Sequence, residues 1–289
     1  MKVLVLGGTG SIGSAVVEAF TARRHEVTAL ARTAAATEQL TCRGARVLPG
    51  DIREPAAWIS SVDGVDAVIH AAATFSADAA AIDRVLLDAL LTRLGASPSQ
   101  RAFVYTGGCW LYGATGESIA TEESPFAAPA AWAWSVGHLT RVLDADSCRG
   151  MVVHPAMVYE RDGGVLGRFH DDLAAFGRVR VVGSESVRWP LVHRQDLGLL
   201  YCLMAERGTQ GSSYNGAAVE SISVGALARA MTRRTGVAAG PIVRPVEEVV
   251  AELGEWASGF AIDQRMSGAK ARRELGWTPT HTDPIAEIS

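Results

Sequence analysis

Short apolar runs rich in β-branched residues alternate with longer segments of helical period through the first half of the chain. The apolar runs fall at 2–6, 27–31, 45–48, 67–70, 102–105 and 151–154. Unbroken apolar runs of this length read as strands buried on both faces of a parallel sheet. Between them, apolar positions recur at helical spacing over 12–24, 77–94 and 135–146, which predicts helices covering that sheet. The pattern is that of an α/β fold with a doubly wound parallel sheet, its six strands making two mononucleotide-binding halves. After Pro155 the rhythm loosens into Gly-rich loops. Helices are expected around 194–206, 224–235 and 263–275, with a short apolar piece near Tyr214. This divides the chain into a dinucleotide-binding domain over 1–155 and a smaller C-terminal substrate-binding lobe over 156–289. A stretch near 190–222 is expected to return to the first domain.

Composition narrows the function. A chain of 289 residues can bury a large core, as one unit or as two lobes sharing a cleft. With 27 Lys and Arg against 31 Asp and Glu the formal net charge is -4, and no basic run could track a phosphate backbone, so no nucleic-acid partner is expected. Apolar runs break well before the ~20 residues a bilayer span needs, so no membrane partner is expected either. The N-terminal apolar run leads straight into glycines, without the pattern of a signal peptide, and the cytoplasm is the expected location. Cys42, Cys109, Cys148 and Cys202 are far apart and show no metal-ligand spacing, so no metal is expected. A small-molecule substrate is the expected partner, and a homodimer is compatible with this composition.

The strongest chemical signal is Gly7-Gly8-Thr9-Gly10-Ser11-Ile12-Gly13, which ends the first strand and opens the first helix. In that context Gly7 permits a tight turn, Gly10 lets main chain approach a pyrophosphate, and Gly13 lets helix and strand pack closely. The helix N-terminus then faces the anion. The second strand ends in Ala31-Arg32-Thr33, without the acidic residue that would accept from a ribose 2′-hydroxyl and repel a 2′-phosphate. Arg32 can pair with such a phosphate and stack on adenine, and Thr33 can add a hydroxyl contact. The expected cofactor is NADP(H).

Further matches follow in order: Gly50-Asp51-Ile52, His70-Ala71-Ala72-Ala73, Phe103-Val104-Tyr105-Thr106, Tyr112-Gly113, His154-Pro155-Ala156-Met157-Val158-Tyr159, Val192-His193-Arg194-Gln195-Asp196 and Leu275-Gly276-Trp277-Thr278-Pro279. With the Gly turn they cover nearly the whole chain, which resembles the extended and atypical short-chain dehydrogenase/reductases, the NAD-dependent epimerase/dehydratase family. The resemblance implies a Rossmann fold. It implies that Asp51 and Ile52 meet the adenine, and that Ala71, Ala72, Ala73, Thr106, Pro155, Met157 and Val158 border the cofactor.

Such proteins use a Ser or Thr with a Tyr-x-x-x-Lys. Tyrosine moves the proton, lysine lowers the tyrosine pKa and holds the ribose, and the hydroxyl orients the substrate. Counting from Tyr112-Gly113, these positions fall here on Gly108, Trp134 and His138. An indole N–H cannot give up its proton at ordinary pH. His138, one helical turn beyond Trp134, can titrate near neutrality, and it is the first candidate both for holding the ribose and for delivering a proton. Tyr112 and Tyr159 are candidate displaced proton donors. Cys109 and Trp110 occupy the positions of the acidic pair of sugar dehydratases. They are expected to border the substrate, as are Gly108, Trp134 and Trp189, which suits a flat or apolar molecule. His193 with Asp196 reads as a structural element where the lobes join. Together these features predict reduction of a carbonyl, imine or activated double bond. An isomerase with a retained nucleotide and a catalytically silent NADP(H) sensor are the alternatives.

Overall fold

The computed structural model describes residues 1–96, 99–161, 163–234 and 240–288. Each of the six expected strands forms: β1 (Lys2–Leu6), β2 (Glu26–Ala31), β3 (Arg46–Pro49), β4 (Ala67–His70), β5 (Ala102–Thr106) and β6 (Arg149–Pro155). They alternate with α1 (Ser11–Ala22), α2 (Ala34–Cys42), α3 (Ala79–Gly95) and α4 (Ala133–Leu143). The second half runs β7 (Met157–Glu160), β8 (Gly163–Gly164), α5 (Gly167–Phe176), β9 (Arg180–Val182), β10 (Arg188–His193) and α6 (Arg194–Arg207). It continues with β11 (Ser212–Gly216), β12 (Val219–Ser223), α7 (Val224–Arg234), β13 (Ile242–Arg244), α8 (Val246–Leu253), α9 (Ala269–Leu275) and α10 (Pro284–Ile288).

The central sheet has seven strands in the order β11-β6-β5-β4-β1-β2-β3, every pairing parallel. The doubly wound parallel sheet is therefore what the chain forms, with one strand more than the apolar runs reveal. The added strand, β11, carries the polar sequence SSYNG and pairs with β6 alone, at the edge, where an apolar run is not required. Strand order reverses between β1 and β4, the place where open α/β sheets leave a crevice at their carboxyl ends. Separate four-stranded (β12-β10-β7-β8) and two-stranded (β13-β9) sheets lie outside the central one.

The helix expected over 263–275 begins only at Ala269. The segment before it is held open by contacts that a helix could not make. The Gln264 side-chain amide donates to the carbonyls of Cys109 and Gly113, both at 2.8 Å. A Cβ on Gly268 would lie 2.4 Å from the Ala217 carbonyl oxygen. Of the helix expected over 224–235, Thr235 lies outside the described residues.

Helix α6 packs tightly across α1. Arg194 donates to both Glu18 carboxylate oxygens and to Ser14 Oγ, and a Cβ on Gly198 would sit 2.5 Å from the Ala15 carbonyl oxygen. Gly198→Ala is expected to force the helices apart and to lower unfolding free energy by about 1–3 kcal/mol, read from urea denaturation. At the far end of α6, Arg149 of β6 donates to the carbonyls of Met204, Ala205 and Gly208, capping the helix C-terminus with a cation.

Candidate functional site

At the switch point, Gly7 adopts φ +84°, a conformation that favours glycine, and a Cβ there would lie 2.6 Å from the Ala72 main chain. A Cβ on Gly13 would come within 2.0 Å of the Gly7 carbonyl oxygen, so β1 and α1 meet only because neither position has a side chain. Around Gly10 the space is open instead: its Cβ would have only the Gly7 carbonyl within 4 Å, at 3.5 Å. That space is a cradle a side chain would fill, in front of the amides that open α1, and it fits a pyrophosphate.

From the cradle a cleft of about 330 Å³ runs past Gly7, Thr9 and Gly10 to Arg32, Thr33, Asp51 and Ile52, with Ala71, Ala72 and Ala73 as its other wall. Arg32 is exposed, and its guanidinium stands 3.8 Å from the Asp51 carboxylate. Thr33 caps α2, its Oγ1 accepting from the Ala36 amide at 3.1 Å, so its hydroxyl oxygen serves the helix as well as the cleft.

The same wall, Ile52 and Ala71–Thr74, borders a second and larger cavity of about 510 Å³. Ser11, Ile12, Thr106, Pro155, Met157 and Val158 line it together with Gly108, Cys109, Trp110 and Trp134. Phe75, Trp132, Trp256, Phe260 and Arg168 complete its outer part. In its wall lies a buried polar cluster built on Asp83 of α3. One carboxylate oxygen accepts from His70 Nε2 at 2.8 Å; the other accepts from the Tyr105 hydroxyl at 2.7 Å and from His138 Nδ1 at 2.6 Å. Burial works to raise the Asp83 carboxyl pKa, and the donors of His70, His138 and Tyr105 outweigh it and hold it at about 2. Burial, with the Asp83 charge alongside, pushes the Tyr105 hydroxyl well above its ordinary value. His70 Nδ1 is buried with no partner among the described residues.

The model of the NAD dependent epimerase/dehydratase family matches residues 3–217. The chain belongs to that family. It is similar over its full length to protein YLL056C of Saccharomyces cerevisiae, 27% identical over 315 residues that include 98% of the yeast chain. It is 27% identical to 2′-dehydrokanamycin reductase of Streptomyces kanamyceticus over 213 residues, 68% of this chain and 56% of the reductase. Its fold matches that of the human epimerase family protein SDR39U1, determined with NADPH, at a TM-score of 0.80 and 22% identity, covering 100% of this chain and 98% of the human one.

The three positions where the sequence reading expects the family's Ser, Tyr and Lys hold Gly108, Trp134 and His138. Gly108 offers no hydroxyl, and a Cβ there would meet nothing within 4 Å. The Trp134 indole N–H is spent on the Ala131 carbonyl at 3.1 Å. His138 packs edge-on against Trp134 and does not line the cavity; it reaches the wall through Asp83.

Three sequence expectations, those for Tyr112, Tyr159 and Trp189, are corrected by the packing, while Cys109 stands where it is expected. Tyr112 is buried away from the cavity with its hydroxyl donating to Asn215 at 2.8 Å, and burial pushes its pKa upward. Tyr159 is buried too; its hydroxyl donates to Glu287 at 3.2 Å, and burial with the Glu287 charge drives its pKa upward. Neither lines the cavity. Trp189 lies behind the wall, donating to the Phe260 carbonyl at 3.0 Å, so it supports the cavity without lining it. Cys109 lines the cavity, but burial pushes its thiol up to about 12, so it packs as a small apolar group.

His193, His281 and Glu287 come close enough to form a ligand set among the described residues. Their two imidazoles, however, are stacked at 3.8 Å and 19°, so their lone pairs run side by side instead of converging on an ion. Asp196 accepts from the Thr280 and His281 amides at 3.0 and 2.9 Å, tying α6 to the segment before α10.

Asp83 went unread in the sequence although a signal was present. Residues 83, 86, 87, 90 and 94 share one helix face, and Leu86, Leu87, Leu90 and Leu94 are fully buried, so Asp83 is the charge on an apolar stripe. A carboxylate in that position requires buried donors.

Proposed function

We propose that this chain is an NADP(H)-dependent reductase acting on a carbonyl, imine or activated double bond of a small metabolite with a large apolar or polycyclic part, with the Asp83 cluster in place of the family's Ser, Tyr and Lys. The observation that carries this reading is the continuity of the two clefts. A dinucleotide cradle with Arg32 at one end opens, past Ala71–Thr74, into a cavity of about 510 Å³ walled by aromatic rings. An open, aromatic-lined cavity beside the cradle favours an enzyme over a catalytically silent sensor.

NADP(H) would supply hydride. The amides that open α1 and the space at Gly10 suit its pyrophosphate, Arg32 its 2′-phosphate, and Asp51 with Ile52 its adenosine. His70, Asp83 and Tyr105 face the substrate side. Asp83 fixes His70 with Nε2–H toward itself, which leaves Nδ1 as an acceptor without a partner among the described residues. His138 is a positioning residue that places a second donor on the same carboxylate.

The test is incubation with NADPH deuterated at C4 and a panel of aryl ketones, cyclic imines and enones. Stoichiometric loss of NADPH with deuterium in the product is expected. His138→Ala should lower turnover by about tenfold or more, within the range of general acid–base contributions, while Tyr159→Phe stays within about twofold. A product inverted at one centre with no net NADPH loss would assign the chain to isomerisation. An unchanged His138→Ala rate would remove His138 from the mechanism.

A further inference from the structure

We propose that the substrate is an aromatic anion, its ring held in a cage of five aromatic side chains and its acidic group paired with Arg168. The proposal rests on the reductase reading above and names the class of molecule the cavity takes. The five rings close on one another. Phe75 meets Trp132 at 5.9 Å, Trp132 meets Trp110 at 6.1 Å, Trp110 meets Phe260 at 5.4 Å, Phe260 meets Trp256 at 5.6 Å, and Trp256 returns to Phe75 at 5.1 Å. All five line the cavity, and they come from four separate stretches of chain: the loop after β4, the turn after β5, the turn before α4 and the turn after α8.

Ordinary core packing does not account for this ring. Phe75 is 64% exposed, a large apolar side chain held at the mouth and wetted on one side. Adjacent rings are inclined by 52° to 86°, edges against faces, the arrangement in which a flat guest finds both faces and edges to pack against. The close fit is encoded in the chain, because a Cβ on Gly259 would lie 2.4 Å from the Trp110 indole.

Arg168 supplies the charge. Its guanidinium carbon stands 4.0 Å above the Phe260 ring, and it lines the cavity. Among the described residues it has no hydrogen bond and no ion pair, because the acids near it are engaged. Asp172 accepts from the Arg180 amide at 2.9 Å and from its Nε at 2.7 Å, and Glu252 accepts from Arg244 at 2.6 Å. Burial presses against the Arg168 charge. A partly buried guanidinium without a counter-ion is costly, and its fork of donors matches a carboxylate or phosphate in two-point contact. Among the described residues, Asp83 is the only acidic side chain that lines the cavity, and both its oxygens are already taken by the three donors of its cluster. Among the described residues the Trp110 and Trp132 indole N–H groups are likewise buried without acceptors, so the cage has donors for an acceptor that a guest would bring.

Titration calorimetry on the NADPH-loaded protein tests this with 2-naphthoate, 2-naphthyl phosphate, 2-naphthalenemethanol and UDP. Both naphthyl anions are expected to bind about tenfold or more tightly than the alcohol, as a charge-assisted pair would give. The tighter of the two identifies the acidic group. Arg168→Gln should erase the difference and leave the alcohol unchanged, Arg168→Lys should restore part of it, and Trp256→Ala should weaken all three naphthyl compounds. Thermal melts confirm that each variant is folded. Equal affinity for alcohol and anions, a preference that survives Arg168→Gln, or no naphthyl binding at all would overturn the proposal. UDP binding that depends on Arg168 and exceeds that of the naphthyl anions would give the cation to a nucleotide instead. A separate NADPH titration keeps the two readings apart: naphthoate binding without NADPH binding would sink the reductase and leave the cage.

Discussion

Asp83→Ala is expected to lower the unfolding free energy by about 3–5 kcal/mol, the usual cost of removing one partner from a buried charged network. The carboxylate accepts from His70, Tyr105 and His138, and His70 and Tyr105 are each only 3% exposed, so their donors would find no water in its place. Asp83→Asn should cost less, because the amide keeps one acceptor oxygen while turning an N–H toward one of the donors. The effect has a pH signature. The folded-state carboxyl is held at about 2, below its unfolded value, so its stabilisation is complete above the usual carboxylate range. It is lost as pH falls from about 4 toward about 2. Urea denaturation of wild type and Asp83→Asn between pH 7 and pH 2.5 should show two curves converging at the acid end. A gap that stayed constant with pH, or an alanine variant within about 1 kcal/mol of wild type at pH 7, would show the cluster to be energetically idle.

The second large effect is on the cofactor. Wild type is expected to bind NADPH between about tenfold and 150-fold more tightly than NADH, the range that a hydrogen-bonded charge contributes. Arg32→Ala should bring that ratio close to unity by weakening NADPH while leaving NADH nearly unchanged. The contact with Asp51 does not compete strongly, being 3.8 Å long and made by a guanidinium that is 66% exposed. Arg32→Asp should go further and reverse the preference, because a carboxylate there accepts from a 2′-hydroxyl and repels a 2′-phosphate. Protein-fluorescence titrations with both nucleotides decide it. Equal affinities in wild type would refute the assignment.

The sheet was legible because a buried parallel strand requires a nearly unbroken apolar run, and β1, β4 and β5 have one. The Gly turn was legible because its spacing answers to local geometry alone: the φ of Gly7 and the contact of Gly13 with the Gly7 carbonyl arise within a few residues. Edge strand β11 was only half visible, since an edge needs no continuous apolar pattern. The helix expected to begin at 263 was overextended, because side-chain contacts to Cys109 and Gly113, distant in sequence, hold Gln264 out of it.

The cavity depended on contacts that no local pattern records. Phe75, Trp132, Trp110, Phe260 and Trp256 meet only after the chain has folded back on itself, and Tyr112, Tyr159 and Trp189 are removed from it by the same packing. The family resemblance points to His138, yet its partner Asp83 lies 55 residues away. By itself the sequence determined the doubly wound sheet and the glycine turn, because periodicity and backbone freedom are local properties. Only the tertiary structure decided which polar groups share the Asp83 carboxylate and which rings enclose the cavity, because burial and mutual geometry exist only between segments brought together by the fold.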